Sequence, residues 1–171
     1  LQAALNVSFT EALVETFDNL EQGKIKVENG APDEKTVAQL SKKYQTLDYD
    51  QISQKNKVQV FTFLTLKAIN DDSQDANQMP TPPAISTVVA MLMHKLLKDE
   101  QMEVVDPAVG TGNLLFPIVS QLKALNHSKD NYQLVGIDND EEMLNLADVA
   151  AHLNNIDIDL YCQDALMPWM C

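Results

Sequence analysis

Arginine is absent from the 171 residues: all 12 basic side chains are lysine, against 25 acids, for a formal net charge of -13. Such a chain lacks the side chain that forks onto guanine and phosphate, and its charge repels a polyanion. Direct nucleic-acid binding by these residues alone is therefore not expected. Cysteine is scarce too. Cys162 and Cys171 are too few and too late in the chain to staple a fold, and His94, His127 and His152 form no ligand cluster. A disulfide scaffold and a structural zinc site are both excluded. No apolar run approaches the roughly 18 residues that span a bilayer, and the stretch Leu1 to Phe17 carries Glu11 and Glu15 without a basic leader. The expected compartment is the cytoplasm, with no membrane partner.

What is present, 45% hydrophobic residues in a moderately charged chain, describes a globular protein of somewhat more than one domain. The charge is uneven: residues 1–78 hold 8 Lys against 12 acids, and residues 79–171 hold 4 against 13. Between them a boundary is expected near Asp71 to Pro83, where the polar stretch Asp71 to Pro80 reads as a linker. The expected organisation is a helical N-terminal domain over 1–78 and an α/β domain over 79–171.

In the first part, Ser8 and Glu11 stand at capping-box spacing ahead of Ala12, Leu13, Phe17 and Leu20, and Gly23 is a plausible stop. Further helices are expected over about 33–47 and 49–69, the last with Val58, Phe61, Leu64, Leu66 and Ile69 on its apolar face. The second part alternates helix and strand. Ile85, Val88, Val89, Leu92 and Leu96 share one helical face, followed by a strand at 102–105, a glycine turn, and a helix from about Asn113 to Leu125. A strand at 133–138, a helix over about 140–153 opened by Asn139, and a strand at 156–162 complete the pattern. This rhythm implies βαβ crossovers and a parallel sheet, an α/β fold.

The stretch most informative about chemistry is Asp106-Pro107-Ala108-Val109-Gly110-Thr111-Gly112-Asn113, where a strand runs into a turn holding two of the chain's five glycines. Gly110 and Gly112 would admit a ligand to the backbone where a Cβ would block it. A Gly-x-Gly alone also serves as a plain βα turn. Two further features match a nucleoside site. Asp138 ends the second strand, 28 residues beyond Gly110, where an acid can accept from the hydroxyls of a ribose; Asp164 follows the third strand, where an acceptor can meet an adenine amino group. Electrostatics then separates the ligands. A dinucleotide pyrophosphate favours a third glycine, here Leu115, and a loop without an acid, whereas this loop opens with Asp106. S-adenosylmethionine carries a sulfonium and an ammonium that an acid attracts, so it is expected ahead of NAD.

These residues carry a resemblance. Asp106 to Asn113 resembles motif I of the N6-adenine-specific DNA methyltransferases, the N-6 DNA methylase family that includes modification subunits of restriction systems, with the YtxK-like branch closest. Thr81-Pro82 is similar to that family's motif X, Gly136-Ile137-Asp138-Asn139-Asp140 to motif II, and Gln163-Asp164-Ala165-Leu166 to motif III. The resemblance spans about residues 79–168. It implies a partial Rossmann-like class I methyltransferase fold behind a small helical domain. It also implies S-adenosylmethionine as cofactor, held by Thr81, Asp106, Pro107, Ala108, Gly110, Gly112, Asn113, Asp138, Asn139, Asp164 and Ala165. Val109 stands where many members carry cysteine, and Leu114 and Leu115 where an aromatic is common.

The family's catalytic motif is an Asp, Asn or Ser followed by Pro-Pro and an aromatic, and it normally follows a fourth strand. The one Pro-Pro here, Pro82-Pro83, is preceded by Thr81 and followed by Ala84. It reads as a helix start, with no catalytic residue in the chain. The expectation is a cofactor-binding half, inactive alone, whose missing C-terminal part brings catalysis and DNA contact. A non-catalytic S-adenosylmethionine-binding regulatory or docking module is the alternative. With the first strand left as an edge, self-association is expected.

Overall fold

The three longer helices of the N-terminal part each start where a short polar side chain offers an acceptor. The computed structural model describes residues 1–72, 81–96, 102–125 and 132–167, so most of the expected linker lies outside the described residues. The chain divides into two compact units, Leu1–Gln78 and Met79–Cys171.

In the first unit a short helix α1 (Gln2–Leu5) precedes α2 (Phe9–Gln22). The capping box of α2 is complete: Glu11 N–H donates to Ser8 Oγ at 3.0 Å and Ser8 N–H to Glu11 Oε2 at 2.9 Å, while Gly23 closes the helix at φ 65°. Asp33 caps α3 (Glu34–Leu47) by accepting from Thr36 N–H at 2.8 Å. The expected helix over 49–69 is interrupted. A single 3-10 turn, Tyr49–Gln51, gives way to extended Ile52, and α4 (Gln54–Asp72) starts afresh behind Ser53. The reason is local, since the Ser53 hydroxyl accepting from Asn56 N–H at 3.3 Å offers the backbone an N-cap in place of a continuous helix. The core joins Ala12, Leu13 and Phe17 to Phe61, Ala68 and Ile69, with the Phe17 ring edge-on to Phe61 at 4.8 Å and to Tyr49 at 6.3 Å. Of the expected α4 stripe, Phe61 and Ile69 are buried and Val58, Leu64 and Leu66 half-buried; Thr65 and Ala68 complete the face.

The second unit runs α5 (Pro83–Leu96), β1 (Met102–Asp106), α6 (Leu115–Ala124), β2 (Tyr132–Asp138), α7 (Glu141–Leu153) and β3 (Asp159–Cys162). The strands form a parallel sheet in the order β1-β2-β3, with Val104 opposite Leu134 and Asp138 opposite Cys162. Parallel neighbours require crossovers, and α6 and α7 supply them. Val109, Phe116, Val119, Leu134, Leu144 and Ala147 share one buried core. This is the α/β architecture expected, but its boundaries differ: α6 begins two residues later than Asn113, and β3 is shorter by three residues at its start.

The packing of α5 differs more. Ala90, fully buried, meets Ile118 and Leu122 of α6 with Val89 and Met93 beside it, and Ser86 one turn before Ala90 is fully buried too. Gln121 Nε2 also donates to Thr87 Oγ1 at 3.1 Å across this contact. Of the expected apolar stripe, Val89 takes part in this contact while Ile85, Val88, Leu92 and Leu96 are exposed. Since α5 is apolar most of the way round, small side chains that allow close approach select its buried face.

Candidate cofactor site at the strand ends

A parallel sheet brings the carboxyl ends of its strands to one edge, and here that edge holds Asp106, Asp138 and, two residues past β3, Asp164. Asp106 closes β1 opposite Gly136. Its side chain is half-buried and accepts from Ala108 N–H at 3.2 Å, turning the chain into the loop. Burial, reinforced by the nearby Asp138 charge, holds its carboxyl above the usual carboxylate range.

The loop is tied back to the second strand. Val109 N–H donates to Ile137 O at 2.9 Å, and Gly110 N–H donates to Asp138 Oδ2 at 2.8 Å. The Asp138 Oδ1 takes a second amide, Asp140 N–H at 3.0 Å, and the Asp138 carbonyl accepts from Gln163 N–H at 2.8 Å at the end of β3. Asp138 thus joins all three βα turns. Its neighbour Asp140, rather than the expected Asn139, caps α7, accepting from Glu142 N–H at 2.9 Å and Met143 N–H at 3.2 Å through Oδ1. Asn139 is exposed.

The two loop glycines have different reasons to be glycine. At Gly110, φ is 51° and a side chain would meet open space; at Gly112, φ is 79° and the position is filled by the Phe116 ring. Gly110 is the one whose bare backbone faces free volume. Gly136 serves the loop from below: a Cβ there would lie 3.1 Å from both methyls of Val109 and 2.8 Å from Leu160 Cδ2, so the bare strand lets Val109 seat against it. A glycine inside an apolar strand was the sequence signal for this close approach.

The other expected residues fall around this frame. Pro107 and Ala108 are exposed at the head of the loop. Half-buried Asn113 donates from Nδ2 to Thr111 Oγ1 at 2.7 Å, an internal loop contact. Asp164 is exposed and accepts from Leu166 N–H at 2.9 Å, with Ala165 half-buried beside it. Thr81 stands before α5, half-buried, and the hydrogen bonds that knit the strand ends do not include it. Among the described residues no helix is long and apolar enough to cross a membrane.

Acids thus stand at three strand ends beside a loop that offers bare backbone at Gly110. The description N-6 DNA Methylase matches residues 58–167, and the YtxK N-terminal helical domain matches residues 1–69. The uncharacterised YtxK protein of Bacillus subtilis is 30% identical over 170 residues, covering 96% of this chain and 48% of that protein. A crystal structure of a proposed class I S-adenosylmethionine-dependent methyltransferase from Listeria monocytogenes superposes with a TM-score of 0.75 at 28% identity, covering 100% of this chain and 51% of that one. The chain thus spans about half the length of these relatives. Its three-stranded parallel sheet, the helical unit before it and the match across 58–167 place it in one family of methyltransferases: the chain belongs to the N-6 DNA methylase family, in the YtxK-like branch.

Proposed function

We propose that these residues bind S-adenosylmethionine as the cofactor half of a cytoplasmic methyltransferase whose complete form methylates the exocyclic amine of adenine in DNA. The observation that carries the reading is the set of Asp106, Asp138 and Asp164 along one sheet edge, around a loop whose Gly110 backbone faces open space. An acid at the head of that loop opposes a pyrophosphate and attracts a sulfonium or ammonium. In this reading Asp138 accepts from the ribose hydroxyls and Asp164 from the adenine amino group. Asp106 and Thr81 face the methionine end, and Pro107, Ala108, Gly110, Gly112, Asn113, Asn139 and Ala165 line the remainder. The bound cofactor supplies an electrophilic methyl group; the protein's part is to hold it in place and exclude competing orientations.

Transfer to adenine also needs acceptors for the amine hydrogens and an aromatic face for an extruded base. Residues 1–171 contain no Asp, Asn or Ser followed by Pro-Pro and an aromatic. Catalysis and DNA contact are therefore assigned to polypeptide beyond these residues. The test is calorimetric titration with S-adenosylmethionine and with NAD: the first binds, the second binds far more weakly, and Asp138→Ala costs about 1.5 to 3 kcal/mol of binding. Equal affinity for both ligands would overturn the reading. In a parallel assay with radiolabelled cofactor and adenine-containing DNA, the chain alone leaves the DNA unlabelled. The absent arginine and the net charge of -13 favour a second reading, a non-catalytic cofactor-binding module. A protein of the relatives' length that carries the catalytic motif and binds the cofactor, yet transfers no label, would select it.

A further inference from the structure

We infer that Asp138 is the positioning residue of this site: its carboxylate holds the glycine loop in its binding shape before any ligand arrives, in addition to the ribose contact proposed above. The inference rests on that reading only in its second half, since the bracing bonds lie within the chain itself. The two carboxylate oxygens divide the work. Oδ2 takes Gly110 N–H at 2.8 Å and Oδ1 takes Asp140 N–H at 3.0 Å. Gly110 stands at φ 51° with nothing within 4 Å of where a Cβ would lie, so this hydrogen bond, together with the Gly112 N–H donating to the Val109 carbonyl at 2.8 Å around the same turn, restrains a residue that otherwise has wide conformational freedom. Asp140 is the cap of α7, so one side chain couples the loop after β1 to the start of the helix after β2.

Accepting these amides does not exhaust the group. A carboxylate offers about four lone-pair sites, two of which are used here, and a hydrogen bond to a charged acceptor is among the stronger ones. Two sites remain for hydroxyl donors. A ribose therefore meets an acceptor whose position is already set by the backbone it braces, and the cost of ordering the loop falls on folding and not on binding.

Two measurements separate bracing from direct contact. The first is amide hydrogen exchange by NMR on the ligand-free chain, comparing wild type with Asp138→Ala and Asp138→Asn. Exchange at Gly110 and Asp140 is expected to accelerate roughly tenfold or more in Asp138→Ala, the factor that corresponds to losing about 1.4 kcal/mol. Val109, bonded to the Ile137 carbonyl, and Gln163, bonded to the Asp138 backbone carbonyl, keep their protection and report that the fold survives. Asp138→Asn retains one carbonyl oxygen and is expected to restore protection at one of the two amides only. Unchanged exchange at both amides in Asp138→Ala would overturn the inference. Should that variant fail to fold, the Asn variant decides by the same readout.

The second measurement titrates S-adenosylhomocysteine and its 2′,3′-dideoxy analogue into wild type and Asp138→Ala. If Asp138 only contacted the ribose, the substitution would leave affinity for the dideoxy analogue unchanged, and that result refutes bracing as a contribution to binding. Bracing predicts that the dideoxy analogue also loses affinity, by several-fold. A wild type that binds neither compound would sink the cofactor assignment, and the exchange rates at Gly110 and Asp140 would then decide the brace by themselves.

Discussion

The ring of Phe116 occupies the space that a side chain on Gly112 would need: a methyl group there would sit 2.1 Å from Cε2 and 2.4 Å from Cδ2. Gly112 lies at the turn into α6, and Phe116 N–H donates to the Gly112 carbonyl at 2.9 Å, so the ring and the glycine are one packing unit. Gly112→Ala meets both this overlap and a left-handed backbone, and should destabilise the chain by roughly 2 to 4 kcal/mol. Adding Phe116→Ala removes the obstacle. The double variant should therefore lose less than the sum of the two single variants by about 1 kcal/mol or more, read by denaturant unfolding. Additive losses would mean that the ring is not the constraint.

Gly110→Ala presents the opposite case. With open space around the position, the cost to folding is only that of a left-handed alanine, about 1 to 2 kcal/mol, whereas a ligand that approaches this backbone would meet the new methyl. Cofactor affinity should fall by about tenfold or more while the unfolding transition moves modestly. A change in stability without a change in affinity would detach Gly110 from the site.

Ser86 is fully buried one turn before Ala90 on α5, and its hydroxyl has no hydrogen-bond partner. Ser86→Ala keeps the close approach of the helices and removes an unsatisfied polar atom, so stability should be unchanged or rise by up to about 1 to 2 kcal/mol. Ser86→Leu, which overfills the same contact, should lose about 1 to 3 kcal/mol. Calorimetric unfolding of the two variants checks both signs.

Asp106 links the site to pH. Because burial and the Asp138 charge raise its carboxyl in the folded chain, the folded state takes up this proton more readily than the unfolded one. The associated stability is fully present below the unfolded carboxylate value and is lost as pH rises through the raised folded value. Binding of a cation runs the other way, since it needs the ionised form, and affinity for S-adenosylmethionine should decline as pH falls through the raised value. Asp106→Asn should weaken binding at neutral pH and flatten this acid flank, in titrations carried downward from neutral pH. A flank of unchanged shape in the variant would assign the pH dependence to another group.

Apolar surface is open on α5 and at the edge strand. Leu92 is 56% exposed and Val105 45% exposed, and β1 pairs on one side only among the described residues. An exposed edge and an apolar stripe favour association between copies. Light scattering should show self-association that rises with concentration, and Val88→Lys combined with Leu92→Lys should shift it toward the monomer. A strictly monomeric mass for the unmodified chain at high concentration would refute this.

Much of the site could be read from the chain because its signals are local. A capping box at Ser8 and Glu11, alternation of strand and helix after residue 101, and acids at three strand ends each depend on a few consecutive residues, and a parallel sheet necessarily gathers strand ends on one edge. What the sequence by itself determined was therefore the α/β class and the acids that stand along the carboxyl edge of the sheet. Tertiary structure alone decided how those residues are used. The amide of Gly110 reaches the Asp138 carboxylate across 28 residues; Gly112 owes its identity to the Phe116 ring; and α5 buries Ser86 and Ala90 in place of its bulkiest stripe. None of these follows from periodicity, because each depends on which surfaces approach most closely in three dimensions. Hydrophobic pattern says that a face is buried, while close packing decides which one.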